Sequence, residues 1–396
     1  MTNLWSANTP ARFWLCQPPM SEDQWQAAIQ EAAPILELPI QSDGIETLLA
    51  LVLGEAQFGP DHWRLSPAKR LYYMLKPVLP RTFTHFLRQL YNPSARAGFQ
   101  LGWPVEARYA GFQWGVMRQL LIATGKHSLS FMHFWPEGHR FAFVLTHDVE
   151  TADGQGYVRA VADLEESFGF RSSFNFVPER YPLDYHLLQE LPGRGFEVGI
   201  HGLNHDGKLF SSHAEFTRRV ERINHYLKAL RAVGFRAPLT HRHPEWMQAL
   251  DIEYDLSFFD TDPYEPISGG AMSIWPYIIG RFVELPYTLV QDYTLTTVLD
   301  EKTPRIWLQK VDFIERYCGM VLVNVHPDYL VDAVTWNVYA EFLQVMKKRE
   351  GYWHALPRDV ARWWRARSCT AADASLPGAV RGKIQLGVED VILELE

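Results

Sequence analysis

Residues that could do chemistry form a short set, each at or just past the end of an apolar, strand-like run: Asp148 and Glu150, His201 and His205, Arg236, Asp260 and Asp262, and His326. Alternate residues of an extended chain point the same way, so Asp148 and Glu150 can face one pocket while Val149 turns away. His201 and His205 are four apart in IHGLNHDG, and a helical turn there would bring both imidazoles to one side. Gly202 and Gly207 weaken a regular helix at that place, because glycine favours irregular backbone. One carboxylate and two neutral imidazoles, with a position left open, make the donor set of a catalytic zinc or similar divalent site. Taken singly, these residues also have plain structural uses. The histidines can bridge loops, Asp148 can cap a helix, Arg236 can pair between strands, and His326 before Pro327 can be a satisfied strand-end histidine. Those uses do not explain why all of them close successive strands.

The elements that must position them are legible from about residue 136 onward. FAFVLTH (141–147), SSFNFV (172–177), FEVGI (196–200), FRAP (235–238), LSFFD (256–260), RFVELP (281–286), MVLVNVH (320–326) and YWHAL (352–356) read as strands. VRAVADLEESF, HAEFTRRVERINHYLKALRAV and TPRIWLQKVDFIERY read as helices between them. Such alternation predicts an α/β fold of parallel strands with crossover helices, and seven or eight units suggest a (β/α) barrel. Chemistry in a barrel sits at the carboxyl ends of strands, where the set above falls.

Residues 1–130 read as a helical N-terminal region, in which Ser21 and Gln24 resemble a capping box and Ile45 to Leu53 is a second apolar-periodic stretch. Residues 136–366 are the predicted barrel. The tail 367–396 turns to small residues and then to a weak alternation from Lys383 to Glu394, an edge strand or hairpin. Between Pro67 and Tyr91 five basic residues interleave with Leu, Tyr and Phe. A solvated helix pair broken by Pro77 and Pro80 is the preferred reading, and peripheral contact with an anionic membrane is the alternative.

Acidic residues outnumber basic ones by 46 to 38, a net charge of −8, which argues against nucleic acid as a partner. No apolar run approaches the roughly 20 residues of a spanning helix. Cys16, Cys318 and Cys369 have neither an even count nor a C-x-x-C spacing, so a reducing compartment is expected. The opening MTNLWSANTPARFWLCQPPM does not read as a secretory signal, and the cytoplasm is the expected location, at a membrane surface if 67–91 engages lipid.

LTHDVE (145–150), HGLNH, FRAP, SFFDTDPYEP and VNVHP resemble, in order, the motifs of the polysaccharide deacetylase family, also called NodB-like or carbohydrate esterase family 4. The order and spacing, with 53 residues from Asp148 to His201 and 121 from His205 to His326, carry the resemblance over residues 136–366. It implies a barrel, usually of seven strands, and metal-dependent removal of N-acetyl or related acyl groups from amino sugars. It further implies Asp148 as general base and His201 and His205 as ligands of a divalent metal, zinc first, with cobalt, manganese or nickel as alternatives. Arg236 would orient Asp148, His326 would be the general acid, and Asp262, or failing it Asp260, would hydrogen-bond His326. Where the family motif has two adjacent acids, Val149 takes the second slot, and Glu150 becomes the ligand one position later.

An amino-sugar glycan, or a lipid- or nucleotide-linked sugar made inside the cell, is the expected substrate. Tyr264, Trp275, Tyr277, Tyr287 and Trp336 are candidates to line its groove. An amidohydrolase acting on a small amide or formyl group and an inactive carbohydrate-binding relative are the competing readings. Oligomeric state is not legible.

Overall fold

The computed structural model describes residues 4–38, 44–65, 69, 96–371, 375–388 and 390–395. Apart from Lys69, the basic stretch 67–91 lies outside the described residues.

Along the chain, β1 (Cys16–Gln17) precedes the helices α1 (Glu22–Ala32), α2 (Ile45–Val52) and α3 (Arg108–Thr124), and then β2 (Ser128–Met132). α1 opens on a reciprocal capping box: the Gln24 N–H donates to Ser21 Oγ, and the Ser21 N–H donates to Gln24 Oε1 at 2.9 Å. There follow β3 (Phe141–Val149), α4 (Ala152–Phe168), β4 (Ser173–Phe176), α5 (Tyr185–Gly193), β5 (Glu197–His201), α6 (His213–Leu230), β6 (Gly234–Arg236) and β7 (Tyr254–Asp255). β8 (Tyr277–Ile279) and β9 (Phe282–Glu284) form a hairpin. α7 (Arg305–Arg316), β10 (Met320–Val325), α8 (Ala333–Lys348), β11 (Tyr352–His354) and α9 (Pro357–Cys369) lead to the final hairpin of β12 (Arg381–Leu386) and β13 (Val391–Leu395).

Seven strands succeed one another in parallel, in the order β10, β3, β4, β5, β6, β7, β9. The chain beyond β9 then bridges onward: Phe259 pairs with Tyr287 and Leu289 pairs with Val323 of β10, both in parallel. These bridges bring the last stave back to the first, and the sheet curls into a (β/α) barrel. YWHAL, as β11, is not a stave; it pairs with the first residues of β3, Phe141 to Phe143. β3 is buried along its whole length, as expected of a strand covered on both faces. Its alternation separates two roles. Thr146 and Asp148 point into the barrel, whereas His147 points out to Glu165 of α4, with its Nε2 2.7 Å from Glu165 Oε1.

A second, antiparallel sheet joins β1, β2, β12 and β13, so the C-terminal hairpin pairs with the strand that enters the barrel. The N-terminal segment is stitched to the barrel by Asn8, whose side chain exchanges two 2.8 Å hydrogen bonds with the backbone of Ile278. One apolar core runs through both parts: Trp114 of α3 stacks on Trp275 at 5.8 Å, and Trp14 packs edge-on to Phe134. Trp275, Tyr277 and Tyr287, expected near a glycan groove, are therefore core residues, each at most 2% exposed. No described helix is long and apolar enough to cross a membrane.

Candidate metal centre

At the carboxyl ends of the staves the structure gathers Asp148, Glu150, His201, His205 and His326 around one cavity of about 110 Å³, with Tyr264 and Tyr293 in its wall and Arg236 behind Asp148. The ionisable groups stand in two layers. Deeper in the barrel, Arg236 is 1% exposed and spans the interior. Its Nε donates to Leu256 O at 2.8 Å, Nη2 to Thr146 Oγ1 at 3.1 Å, and Nη1 to Asp148 Oδ1 at 3.2 Å and to Asn324 Oδ1. Asp148 also accepts from Asn175 Nδ2 at 3.1 Å and from Asn324 Nδ2 at 2.9 Å. Burial opposes its charge, but Arg236, with His201 and His326, holds its pKa well below the usual carboxylate value.

Above this layer lie Glu150, His201 and His205. One ligand atom from each lies within 4.8 Å of the other two. His201 ends β5, and its Nδ1 is 3.1 Å from the backbone O of Arg236, a contact that fixes the tautomer with hydrogen on Nδ1 and leaves the Nε2 lone pair free. That Nε2 is buried and has no hydrogen-bond partner. Burial pushes the His201 pKa down to about 4, so the ring is neutral, as a metal ligand must be. His205 Nε2 stands 2.9 Å from Glu150 Oε1. Burial raises the Glu150 pKa, the neighbouring imidazoles outweigh it, and the carboxyl stays ionised.

The histidine pair does not lie on a helical turn. β5 ends at His201, and the chain reverses through left-handed backbone at Gly202 (φ 62°) and His205 (φ 52°). A Cβ on Gly202 would come within 2.4 Å of Pro238 Cγ, so both the backbone angle and the space call for glycine. Glu150 is set by its own backbone: its N–H donates to Asp328 Oδ2 at 2.9 Å, and Thr151 Oγ1 donates to the other oxygen of that carboxylate. Tyr181 braces the preceding residue through a 2.5 Å bond to Val149 O.

His326 faces both layers, with Nε2 3.9 Å from Asp148 Oδ2 and 4.0 Å from Glu150 Oε1. The partner of its Nδ1 is Asp292, at 2.7 Å, which also accepts from the His326 N–H at 2.8 Å. Burial works against a charged imidazole here, but Asp292 outweighs it and lifts the pKa to about 10. The expectation that Asp262, or else Asp260, would meet His326 is therefore corrected. Asp262 is held in an antiparallel bridge with Gly269 and accepts from the Tyr264 N–H at 2.7 Å; Asp260 is committed to Lys310 at 2.7 Å.

The chain is similar to polysaccharide deacetylases of known structure. A Mycobacterium smegmatis protein assigned as a polysaccharide deacetylase is 19% identical at a TM-score of 0.48, over 61% of this chain and 96% of its own. A Pseudomonas aeruginosa protein with the same assignment is 15% identical at a TM-score of 0.47, over 59% of this chain and 93% of its own. PuuE allantoinase is 16% identical at a TM-score of 0.46, over 59% of this chain and 92% of its own. No protein-family model and no curated protein sequence matches the chain.

Sequence reasoning missed Asp292, Asn175, Asn324 and Asp328. Asp292 follows LPYTLVQ, which carries no strand signal of its own because it is an extension that bridges rather than a regular stave. Asn324 was visible as the inward residue two before His326, by the same alternation that pairs Asp148 with Glu150. Asn175 holds the matching place on β4, level with Asp148 in the strand register. A search confined to ionisable groups passes over both amides.

Proposed function

We propose that this chain is a hydrolase that uses a divalent metal, zinc first, to remove N-acetyl or similar acyl groups from an amino-sugar glycan or from a lipid- or nucleotide-linked precursor. The observation that carries the reading is the Glu150, His201 and His205 cluster, with an unpartnered buried Nε2, lying between a fixed carboxylate and a fixed imidazole. Donors about 2.1 Å from one tetrahedral ion lie about 3.4 Å apart, so three atoms already within 4.8 Å of one another need side-chain shifts on the order of 1 Å to share one coordination shell. A carboxylate and two neutral imidazoles suit zinc and its neighbours. Bound there, a divalent ion would supply Lewis acidity to the acyl oxygen and make the attacking water acidic enough for a stabilised carboxylate to deprotonate.

The remaining work falls to the chain. Asp148, held by Arg236, Asn175 and Asn324, takes a proton from water as its oxygen bonds to the acyl carbon. His326, kept protonated and oriented by Asp292, gives a proton to the departing nitrogen as the carbon–nitrogen bond breaks. Water thus adds across the amide, yielding a carboxylic acid and an amine. Glu150, rather than Asp148, serves as the carboxylate ligand in this reading, because it is Glu150 that groups with the two imidazoles, its Oε1 2.9 Å from His205 Nε2, while Asp148 Oδ2 keeps a lone pair for the proton.

The small cavity over the cluster favours one alternative, a compact amide substrate lacking a glycan. Acetate release from N-acetylglucosamine oligomers, measured beside release from simple formamides and ureides with and without a chelator, tests both. Chelator-sensitive release from the oligomers is expected. Turnover of the small amides alone would transfer the proposal to them, and chelator-insensitive turnover would overturn it.

A further inference from the structure

We propose that Glu265 is a specificity-determining residue: from the wall of the cavity at Glu150, His201 and His205, its carboxylate accepts hydrogen bonds from hydroxyl groups beside the acyl nitrogen and turns away substrates that carry an anion there. The inference rests on the amino-sugar reading above and narrows it to sugars that are neutral at that place.

Local backbone puts Glu265 in that wall. Asp262 and Gly269 exchange backbone hydrogen bonds at 3.0 and 3.1 Å, so the chain between them is a short loop tied at its base. The Tyr264 N–H donates to Asp262 Oδ1 at 2.7 Å, a turn that aspartate favours, and Tyr264, Glu265 and Pro266 all line the cavity. Glu265 is 7% exposed, and each of its oxygens is fixed. Thr240 Oγ1 donates to Oε2 at 2.8 Å, and Gln291 Nε2 donates to Oε1 at 2.6 Å; both donors line the same cavity.

Charge sets this residue apart from its neighbours. Asp148 has Arg236, His326 has Asp292, and Glu150 stands against His205. Glu265 forms no ion pair among the described residues, and both of its donors are neutral. Arg242 is bonded to Glu55, and Lys69 Nζ donates to Pro266 O at 3.0 Å. Asp262 is fully buried, and its Oδ2 has no hydrogen-bond partner. Burial, and then the charge of Glu265, push the Asp262 pKa well up, so the proton rests on Asp262 and the negative charge on Glu265, whose oxygens are both hydrogen-bonded. Burial raises the Glu265 pKa too, opposed by hydrogen bonding and by the charges of Arg242 and His326.

A buried carboxylate with spare lone pairs and no counter-ion favours donors and repels anions. A substrate anion about 6 Å away would be disfavoured roughly 100-fold at an effective dielectric of about 20, and less with solvent in the cavity. Hydroxyls on the ring carbon next to the nitrogen supply the donors.

The test compares three probes on zinc-equilibrated full-length protein: N-acetylglucosamine; N-acetylmuramic acid, which carries a lactyl carboxylate on the neighbouring ring carbon; and the methylamide of that carboxylate, of similar shape without the charge. Acetate release and calorimetric titration are measured on the parent, Glu265→Gln, Glu265→Asp and Gln291→Lys. The parent is expected to use the methylamide at least about tenfold better than the acid in kcat/KM. Glu265→Gln should bring the two within about twofold, and Glu265→Asp should keep the preference. Gln291→Lys sets a cation against the same carboxylate and should level the pair as well, even if Glu265→Gln does not fold. Equal use of acid and amide by the parent, a preference indifferent to both variants, or rejection of both muramyl probes overturns the proposal. Binding separates the two claims: a charge preference that Glu265→Gln removes, without acetate release, keeps the role of Glu265 and rejects the deacetylase reading. Release without that preference does the reverse, and neither binding nor release of any probe overturns both.

Discussion

Asp148 and His326 differ in what holds them, and single substitutions separate their roles. Asp148→Asn keeps the Arg236 and Asn324 contacts possible but removes the proton acceptor, so kcat should fall by about 10²- to 10⁴-fold while bound metal is retained, measured by acetate release beside elemental analysis. Asp292→Asn should lose more than about 100-fold in kcat, because the imidazole loses the anion that orients it and keeps it charged; Asp262→Asn should lose much less. Equal losses in the two variants would return Asp262 to the role it was expected to fill. At this scale the sequence was informative about charged groups at strand ends and silent about their amide supports. Carboxylates and imidazoles stand out by chemistry alone, whereas Asn175 and Asn324 acquire meaning only when the register sets them beside Asp148.

Elements position the proposed ligands through backbone that side-chain spacing does not describe. The His201 and His205 pair was legible from its spacing, yet a left-handed reversal at Gly202 brings the rings together, because the strand must end before the chain can turn over the barrel rim. Gly154 in the first turn of α4 is a parallel case: a Cβ there would fall 2.2 Å from Asp328 Oδ2, the oxygen that receives the Glu150 N–H. Gly154→Ala should therefore displace Glu150 indirectly and lower zinc affinity by about 10- to 100-fold, measured by competition with a chromogenic chelator, with little change in helix content by circular dichroism. Unchanged affinity would remove Asp328 from the support of the site. The barrel staves themselves were readable as apolar runs between helices. β11 was not separable from them, since an apolar run shows that a strand is buried and not which neighbour it pairs with.

Across the whole molecule the N-terminal segment is tied to the barrel by a buried ion pair, Glu55 with Arg242, and that tie depends on pH. Burial raises the Glu55 pKa, but Arg242 and His62 outweigh it and bring the value down from 4.5 to about 2. A carboxyl depressed in the folded state stabilises the fold above its unfolded pKa. Its contribution is lost as pH falls from about 4.5 through about 2, and amounts to roughly 3 kcal/mol by linkage. Glu55→Gln should lower thermal stability at pH 7 and flatten its decline between pH 4.5 and 2, read by melting curves across that window. An unchanged slope would show that other groups govern acid unfolding. The sequence foretold little of this contact, because it joins residues 187 apart. The most direct test of the account is the metal stoichiometry of zinc-equilibrated, dialysed protein, compared with that of His201→Ala and His205→Ala. About one ion per chain is expected in the parent and a clear loss in both variants; a parent that keeps no ion, or variants that keep as much as the parent, would contradict a metal centre at Glu150, His201 and His205.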